Sequence, residues 1–218
     1  MKTRTYISLL SCIMLVSSCK KDEYVYPDVL TEFVDMETDN SGRLSYINRD
    51  NGDEYLINKR SGLDGFTPDS TYRALSVFEP SENNDGNATA TLYSCQFVIS
   101  VIPSAEDRFP KGIKTDPLDI DRIWQSGNYI NMVLNIMAKD KPHALNFVDN
   151  GITNNRDGSR TLDITIYHDQ NNDYEAYTKK AYASVPLWPY EDALTKGDKI
   201  TIHINTYKEG NTTREFHY

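Results

Sequence analysis

The residues whose chemistry is most specific lie at the start of the chain. Val16-Ser17-Ser18-Cys19 is a run of small residues closing on a thiol. Before it stand the cations Lys2 and Arg4 and an apolar stretch, Tyr6 to Val16, broken only by Ser8 and Ser11. That is the three-part shape of a cleaved export signal, too short for a span, which needs about 20 apolar residues. A cysteine at the cleavage point turns a plain signal into a lipobox: residues 1–18 are removed and the Cys19 sulfur is acylated, palmitate being a typical chain. Leu9-Leu10-Ser11-Cys12 fits the same pattern, but its apolar core falls short of the usual length of about 7 to 15 residues, so Cys19 is the expected lipidation site.

Lys20-Lys21-Asp22-Glu23 resembles the lysine-plus-acidic tag by which Bacteroidetes-type lipoproteins reach the outer face of the outer membrane. Residues 19–25 are then a lipidated tether, with the protein held on the outer membrane and facing the cell exterior. With Cys12 removed and Cys19 acylated, Cys95 is the last of three cysteines, so no internal disulfide is expected. Tyr93, Cys95, Phe97 and Ile99 alternate along one strand and read as an apolar face, which makes Cys95 a core residue rather than a nucleophile.

The remaining candidates are weaker. Asp169-Gln170-Asn171-Asn172-Asp173 places oxygens at positions 1, 3 and 5 of a calcium loop. Tyr174 stands where the loop needs Gly and Lys180 where it needs Glu, so an acidic turn that caps backbone amides fits better. His143, His168, His203 and His217 show no ligand spacing. His168 shares parity with Leu162, Ile164 and Ile166, whereas His203 lies opposite Ile202 and Ile204 and should face solvent. No serine-nucleophile, P-loop or dinucleotide motif occurs, so no metal, cofactor or catalytic residue is expected. A net charge of −9, made more acidic once Lys2 and Arg4 leave with the signal, argues against nucleic acid; a basic groove of Arg43, Arg49 and Lys59 would be needed. Asp69-Ser70-Thr71 resembles a short O-glycosylation site. Fifteen tyrosines and two tryptophans offer stacking surfaces. Trp188 and Tyr190 sit in an expected loop, and Tyr46 and Tyr55 on the two strands that form the ligand face of an OB barrel; most other aromatics should fill cores.

Period-2 alternation dominates the chain, and no helical stripe exceeds about two turns. Strands are expected over 29–36, 43–49, 54–58, 72–78 and 88–102, with Asn51-Gly52 as the strongest hairpin turn. Pro103 to Pro110 reads as a linker. A second block offers strands over 129–137, 143–148, 161–168, 181–187, 199–207 and 214–218. The spacing suggests a sandwich or barrel.

Three strings resemble NigD-like lipoproteins. They are Pro27 to Met36 with the Asn51-Gly52 hairpin running into Tyr55-Leu56-Ile57, Ile123-Trp124-Gln125-Ser126-Gly127-Asn128-Tyr129-Ile130-Asn131, and Tyr167 to Tyr177. The resemblance spans the mature chain. It implies an all-β protein, with an OB-like barrel over 26–103, a linker at 104–112 and a β-sandwich over 113–218. It carries no catalytic residues. The family takes its name from linkage to a bacteriocin gene cluster. The resulting expectation is a non-enzymatic surface module that binds a protein, peptide or glycan, with a link to bacteriocin biology. The rival expectation is a surface hydrolase acting on glycan or peptide through a carboxylate pair invisible in sequence.

Overall fold

A computed structural model describes residues 28–218; the lipobox, Cys19 and the tether lie outside the described residues. Five strands close into a barrel: β1 (Leu30–Thr38), β2 (Leu44–Arg49), β3 (Glu54–Ile57), β4 (Thr71–Glu82) and β5 (Ala88–Phe97). Their order around the barrel is β1-β2-β3-β5-β4, with β4 returning to β1 and β3 parallel to β5, the OB-like arrangement expected. Alternation decides which side chains enter. Val34 and Met36 of β1 point inward with Ile47, Ala74, Phe78, Ala90 and Leu92, all buried, while Phe33 and Asp35 point outward from the barrel. The Asn51-Gly52 signal is a tight turn between β2 and β3, with Gly52 at φ 94°.

One expected face differs. A bulge between Val77 and Phe78 shifts the β4–β5 register, so that Phe78 faces Leu92 and Ser76 faces Cys95. The inward set of β5 therefore runs Ala90, Leu92, Cys95, with Tyr93 turned outward, while Phe97, opposite Ala74 at the end of the strand, is exposed at the barrel's rim. Cys95 still packs against the barrel core, and burial pushes its thiol upward in pKa, away from the reactive thiolate. Phe97 packs instead on Phe66 and Tyr72.

The second block is a sandwich of two sheets, ordered β10-β7-β6 and β12-β11-β9-β8. Its strands are β6 (Asp119–Ser126), β7 (Tyr129–Ala138), β8 (Ala144–Asn154), β9 (Arg160–Asp169), β10 (Tyr177–Pro186), β11 (Lys199–Thr206) and β12 (Gly210–His217). Ile130, Met132 and Leu134 from one sheet meet Leu162, Ile164, Ile166, Ile200, Ile202 and Ile204 from the other in one buried core, on the faces that alternation assigned. β6 is an addition to the expected strands. The stretch before it is tied to the sandwich: the Ile99 amide donates to Tyr182 O, the Ser104 amide to Phe147 O, and the Leu118 amide to Asn205 O.

Candidate functional site

The two blocks meet where the outward face of β1–β4 lies on the outward face of β10-β7-β6. Register sets the contact. Asp35 pairs with Arg73 and Phe33 with Leu75 on the barrel, while Asn131 pairs with Ser184 and Val133 with Tyr182 on the sandwich. At the centre the Arg73 side chain, 1% exposed, forks onto Asp50 with N–O distances of 2.6 and 2.8 Å. Nη1 also reaches Asp35 at 3.2 Å, Nη2 donates to Asn131 Oδ1 at 3.1 Å, and the guanidinium lies 3.9 Å from the Tyr129 ring centroid. The Ser184 hydroxyl donates to the same Asn131 oxygen at 2.6 Å. One cation from the barrel is thus satisfied by two barrel carboxylates and by buried polar groups of the sandwich, as a desolvated charge requires.

The electrostatics follow. Burial works against the Arg73 charge, but hydrogen bonding and attraction from Asp50, with Asp35 adding, more than offset it and hold its pKa above the ordinary value. Burial pushes the Asp35 carboxyl upward, and Arg73 only partly reverses that. The Tyr129 hydroxyl, which donates to Asp35, is raised chiefly by burial and then by the Asp35 charge. Gly127, in the β6–β7 turn, completes the fit. At φ 51° its missing Cβ would stand 3.0 Å from Asp50 O, so the turn carrying Asp50 docks directly on the Gly127-Asn128 turn.

On one side of this latch a cleft of about 570 Å³ opens between the blocks. Phe33, Leu75, Val133, Trp124 and Tyr182 give it an apolar and aromatic wall. Trp124 meets Phe33 edge to face at 5.2 Å, and Tyr182 meets Phe33 at 6.2 Å. Charged groups ring the mouth. Arg49 forks onto Glu32 at 2.8 and 2.9 Å, and Lys180 pairs with Asp121 at 2.8 Å. The Arg122 guanidinium lies over the Trp124 ring at 4.9 Å. On the other side a smaller cleft of about 390 Å³ is lined by Asp35, Glu37, Tyr129 and Trp188. The chain's two tryptophans therefore line different clefts.

The expected aromatics separate. Trp188, at the start of a 3₁₀ turn over Trp188–Tyr190, is 45% exposed and lines the smaller cleft. Tyr190 in the same turn does not join it: it is buried in the sandwich core and donates its hydroxyl to Asp149 at 3.0 Å. Tyr46 and Tyr55 fall on opposite faces of the β2–β3 hairpin. Tyr46 pairs with Leu56 on the exposed outside, whereas Tyr55 pairs with Ile47 and packs against Phe78. They form no common ligand face.

The acidic turn caps amides as expected. Asp173 accepts from the Lys139 and Asp140 amides, bonds that hold its carboxyl well below the usual carboxylate range against the opposing effect of burial, and Asp169 accepts from Asn171 N. His168 is buried, and its ring reaches His143 at 3.0 Å and Asp116 O at 2.9 Å, a pairing that linear spacing did not show. Among the described residues no group of histidine, cysteine and carboxylate side chains is arranged to hold a metal. Arg43 pairs with Asp64 and Arg49 with Glu32 and Asp53. These arginines sit within ion pairs.

Sequence reasoning missed the latch and the larger cleft altogether. The available signal was polar parity: Asn131 and Ser184 sit at outward positions of apolar strands, between Tyr129 and Val133 and between Tyr182 and Pro186.

Comparison with known proteins bears on this architecture. The NigD-like C-terminal beta sandwich domain matches residues 100–218. A solved NigD-like immunity protein from Bacteroides caccae is similar over 89% of this chain and 99% of its own, at 32% identity and a TM-score of 0.71. A candidate toxin-related protein from Parabacteroides distasonis shares the fold at 16% identity and a TM-score of 0.64, covering 88% of this chain and 93% of that one. A candidate lipoprotein from Bacteroides fragilis shares it at 14% identity and 0.59, covering 88% and 97%. Comparison with curated proteins gives no match. With its sandwich matched from end to end and a 32% identical structure aligned over both blocks, the chain belongs to the NigD-like family.

Proposed function

We propose that this protein is a surface lipoprotein, anchored in the outer membrane through Cys19 and facing the cell exterior, that works as a non-enzymatic binding module. Its division into a tether at 19–25, a barrel over 26–103, a linker at 104–112 and a sandwich over 113–218 belongs to the same reading. The ligand, a protein, peptide or glycan, is taken in the larger cleft between the blocks. The observation that carries this is the Phe33–Trp124–Tyr182 wall, an aromatic surface left open to a cleft of about 570 Å³, within the range of about 300 to 1,000 Å³ typical of ligand sites. Trp188 on the smaller cleft is a second contact of lower rank. The immunity-protein description of the Bacteroides caccae relative supports a role in bacteriocin biology, in which the module would shield its own cell by binding.

The hydrolase reading has one observation in its favour, the raised Asp35 carboxyl close to Asp50 at the block interface. Both carboxylates, however, are tied to the single Arg73 guanidinium, Asp50 at 2.6 and 2.8 Å and Asp35 at 3.2 Å, which gives each a structural role in the contact between the blocks. The test is capture from cell-surface extracts, peptide libraries and glycan arrays with the intact protein and with Trp124→Ala. A ligand retained by the wild type and lost by the variant is expected. Capture unchanged in Trp124→Ala, or turnover of any captured ligand at catalytic protein concentration, would overturn the reading.

A further inference from the structure

The strand that carries Trp124 is also an edge. β6 pairs with β7 on one side only and ends its three-stranded sheet. A bulge between Ile120 and Arg122 interrupts its first half, so the regular part of the edge runs from Arg122 to Ser126. Within that stretch Arg122 and Trp124 share the barrel-facing side, two residues apart, and both line the larger cleft. The charges there are unequal in their commitments. Arg49 is held by Glu32 and Asp53, Lys180 by Asp121, and Asp50 by Arg73. Among the described residues Arg122 alone of the lining cations has no carboxylate within 4.0 Å; its guanidinium carbon lies over the indole at 4.9 Å from the ring centroid, and the residue is exposed to solvent. A guanidinium held over an aromatic ring with no carboxylate of its own keeps N–H groups free to fork onto one carboxylate.

We propose that β6 accepts an extended peptide as an added strand, with an acidic residue on Arg122 and an apolar side chain two positions away in the Phe33–Trp124 pocket. This rests on the larger cleft being the ligand site and names the ligand class it takes. The spacing is dictated by the strand: residues i and i+2 of an added strand lie about 6.6 Å apart on one face, as Arg122 and Trp124 do on β6. Backbone hydrogen bonds to the edge supply affinity irrespective of sequence, and the two side chains supply selectivity. The wall of Phe33, Leu75 and Val133 suits an alkyl or aryl side chain better than a sugar's hydroxyl edge. The acidic charge of the whole chain sets the other limit, because a polyanion would be repelled while a single carboxylate beside Arg122 is not.

The two tryptophans allow a clean test on the full chain purified in detergent. In Trp188→Phe, emission comes from Trp124 alone. Three end-capped heptapeptides serve as probes: one with Glu and Leu two positions apart, one with Gln in place of Glu, and the Glu peptide N-methylated at alternate residues. The Glu peptide is expected to shift Trp124 emission saturably, the Gln peptide to bind roughly tenfold more weakly, and the N-methylated peptide to bind not at all. Arg122→Gln should erase the preference for Glu while leaving the weaker Gln binding in place. Equal binding of Glu and Gln peptides, undiminished binding of the N-methylated peptide, or self-association of the free protein that blocks the edge would each overturn strand addition. If a captured glycan shifts Trp124 emission and no peptide does, the strand-addition proposal fails and the cleft reading stands. If neither does, both fail.

Discussion

Replacing Arg73 by Met removes the buried cation at the centre of the contact between the two blocks and retains most of its volume. The structure sets the size of the effect. The side chain is 1% exposed and its main partner Asp50 11%, so the substitution strands a carboxylate in a desolvated contact rather than returning it to water. Breaking one side of a buried pair in this way costs about 3 to 5 kcal/mol. For a chain of this size each kcal/mol moves the midpoint by about 2 to 4 °C, so the contact should loosen by roughly 6 to 20 °C. The two cores are separate: Val34, Met36 and Phe78 in the barrel, Ile130, Phe147 and Ile164 in the sandwich. The lost energy is therefore shared by neither core, and a single transition should split into two. Differential scanning calorimetry reads the splitting. Arg73→Met/Asp50→Leu should recover much of the loss, because removing both partners leaves no orphan charge. A single unsplit transition within about 2 °C of wild type in Arg73→Met, less than one kcal/mol by the same scaling, would refute the latch.

Other expectations are more local. Gly127→Ala puts a Cβ 3.0 Å from Asp50 O at a positive φ, and should destabilise the chain by about 1 to 3 kcal/mol in denaturant unfolding. Tyr190→Phe loses the bond from a buried hydroxyl to Asp149 and should cost about 1 kcal/mol by the same assay. Acid should destabilise the fold. The carboxyls of Asp157, Asp173, Asp198 and Glu209 are depressed and Asp39 lies at about 2, so their stabilisation is complete above the ordinary carboxylate pKa and is lost as pH falls through the folded values. Asp35 is raised and has the opposite sign, its contribution fading as pH rises, so Asp35→Asn should steepen the acid loss relative to wild type in urea unfolding between pH 6 and 3. Cys95, half-buried with a raised thiol pKa, should label with iodoacetamide at neutral pH more slowly than in the urea-unfolded chain, as read by mass spectrometry.

Strand alternation made most of the fold legible, because period 2 is imposed by burial on one face. Ile130, Met132 and Leu134 or Ile200, Ile202 and Ile204 need no further information. The strings failed where a bulge inserts a residue and reverses parity. In β6 the inward residues Ile120 and Ile123 are three apart, and Asp119-Ile120-Asp121-Arg122 looks like a charged loop. In β5 the same device exchanged Tyr93 for Leu92 as the inward residue, while Cys95 stayed on the core side. The site was hidden for a different reason. Arg73, Asp50 and Asn131 come from three distant segments, and an arginine on a strand reads as solvent-facing until a second sheet is laid over it. Aromatic content was visible in sequence, but its division was not. Trp188 and Tyr190 are two residues apart in a 3₁₀ turn, yet one is open and the other sealed in the core.

The central claim is that ligand enters the cleft walled by Phe33, Trp124 and Tyr182. The most direct test is the affinity of whatever the intact protein captures from cell-surface material, measured by calorimetric titration against wild type, Trp124→Ala and Trp188→Ala. The account predicts a loss of tenfold or more in Trp124→Ala, in keeping with about 1 to 3 kcal/mol for a buried aromatic contact, and a smaller loss in Trp188→Ala. Full affinity in Trp124→Ala, with thermal stability of the variant unchanged, would contradict it.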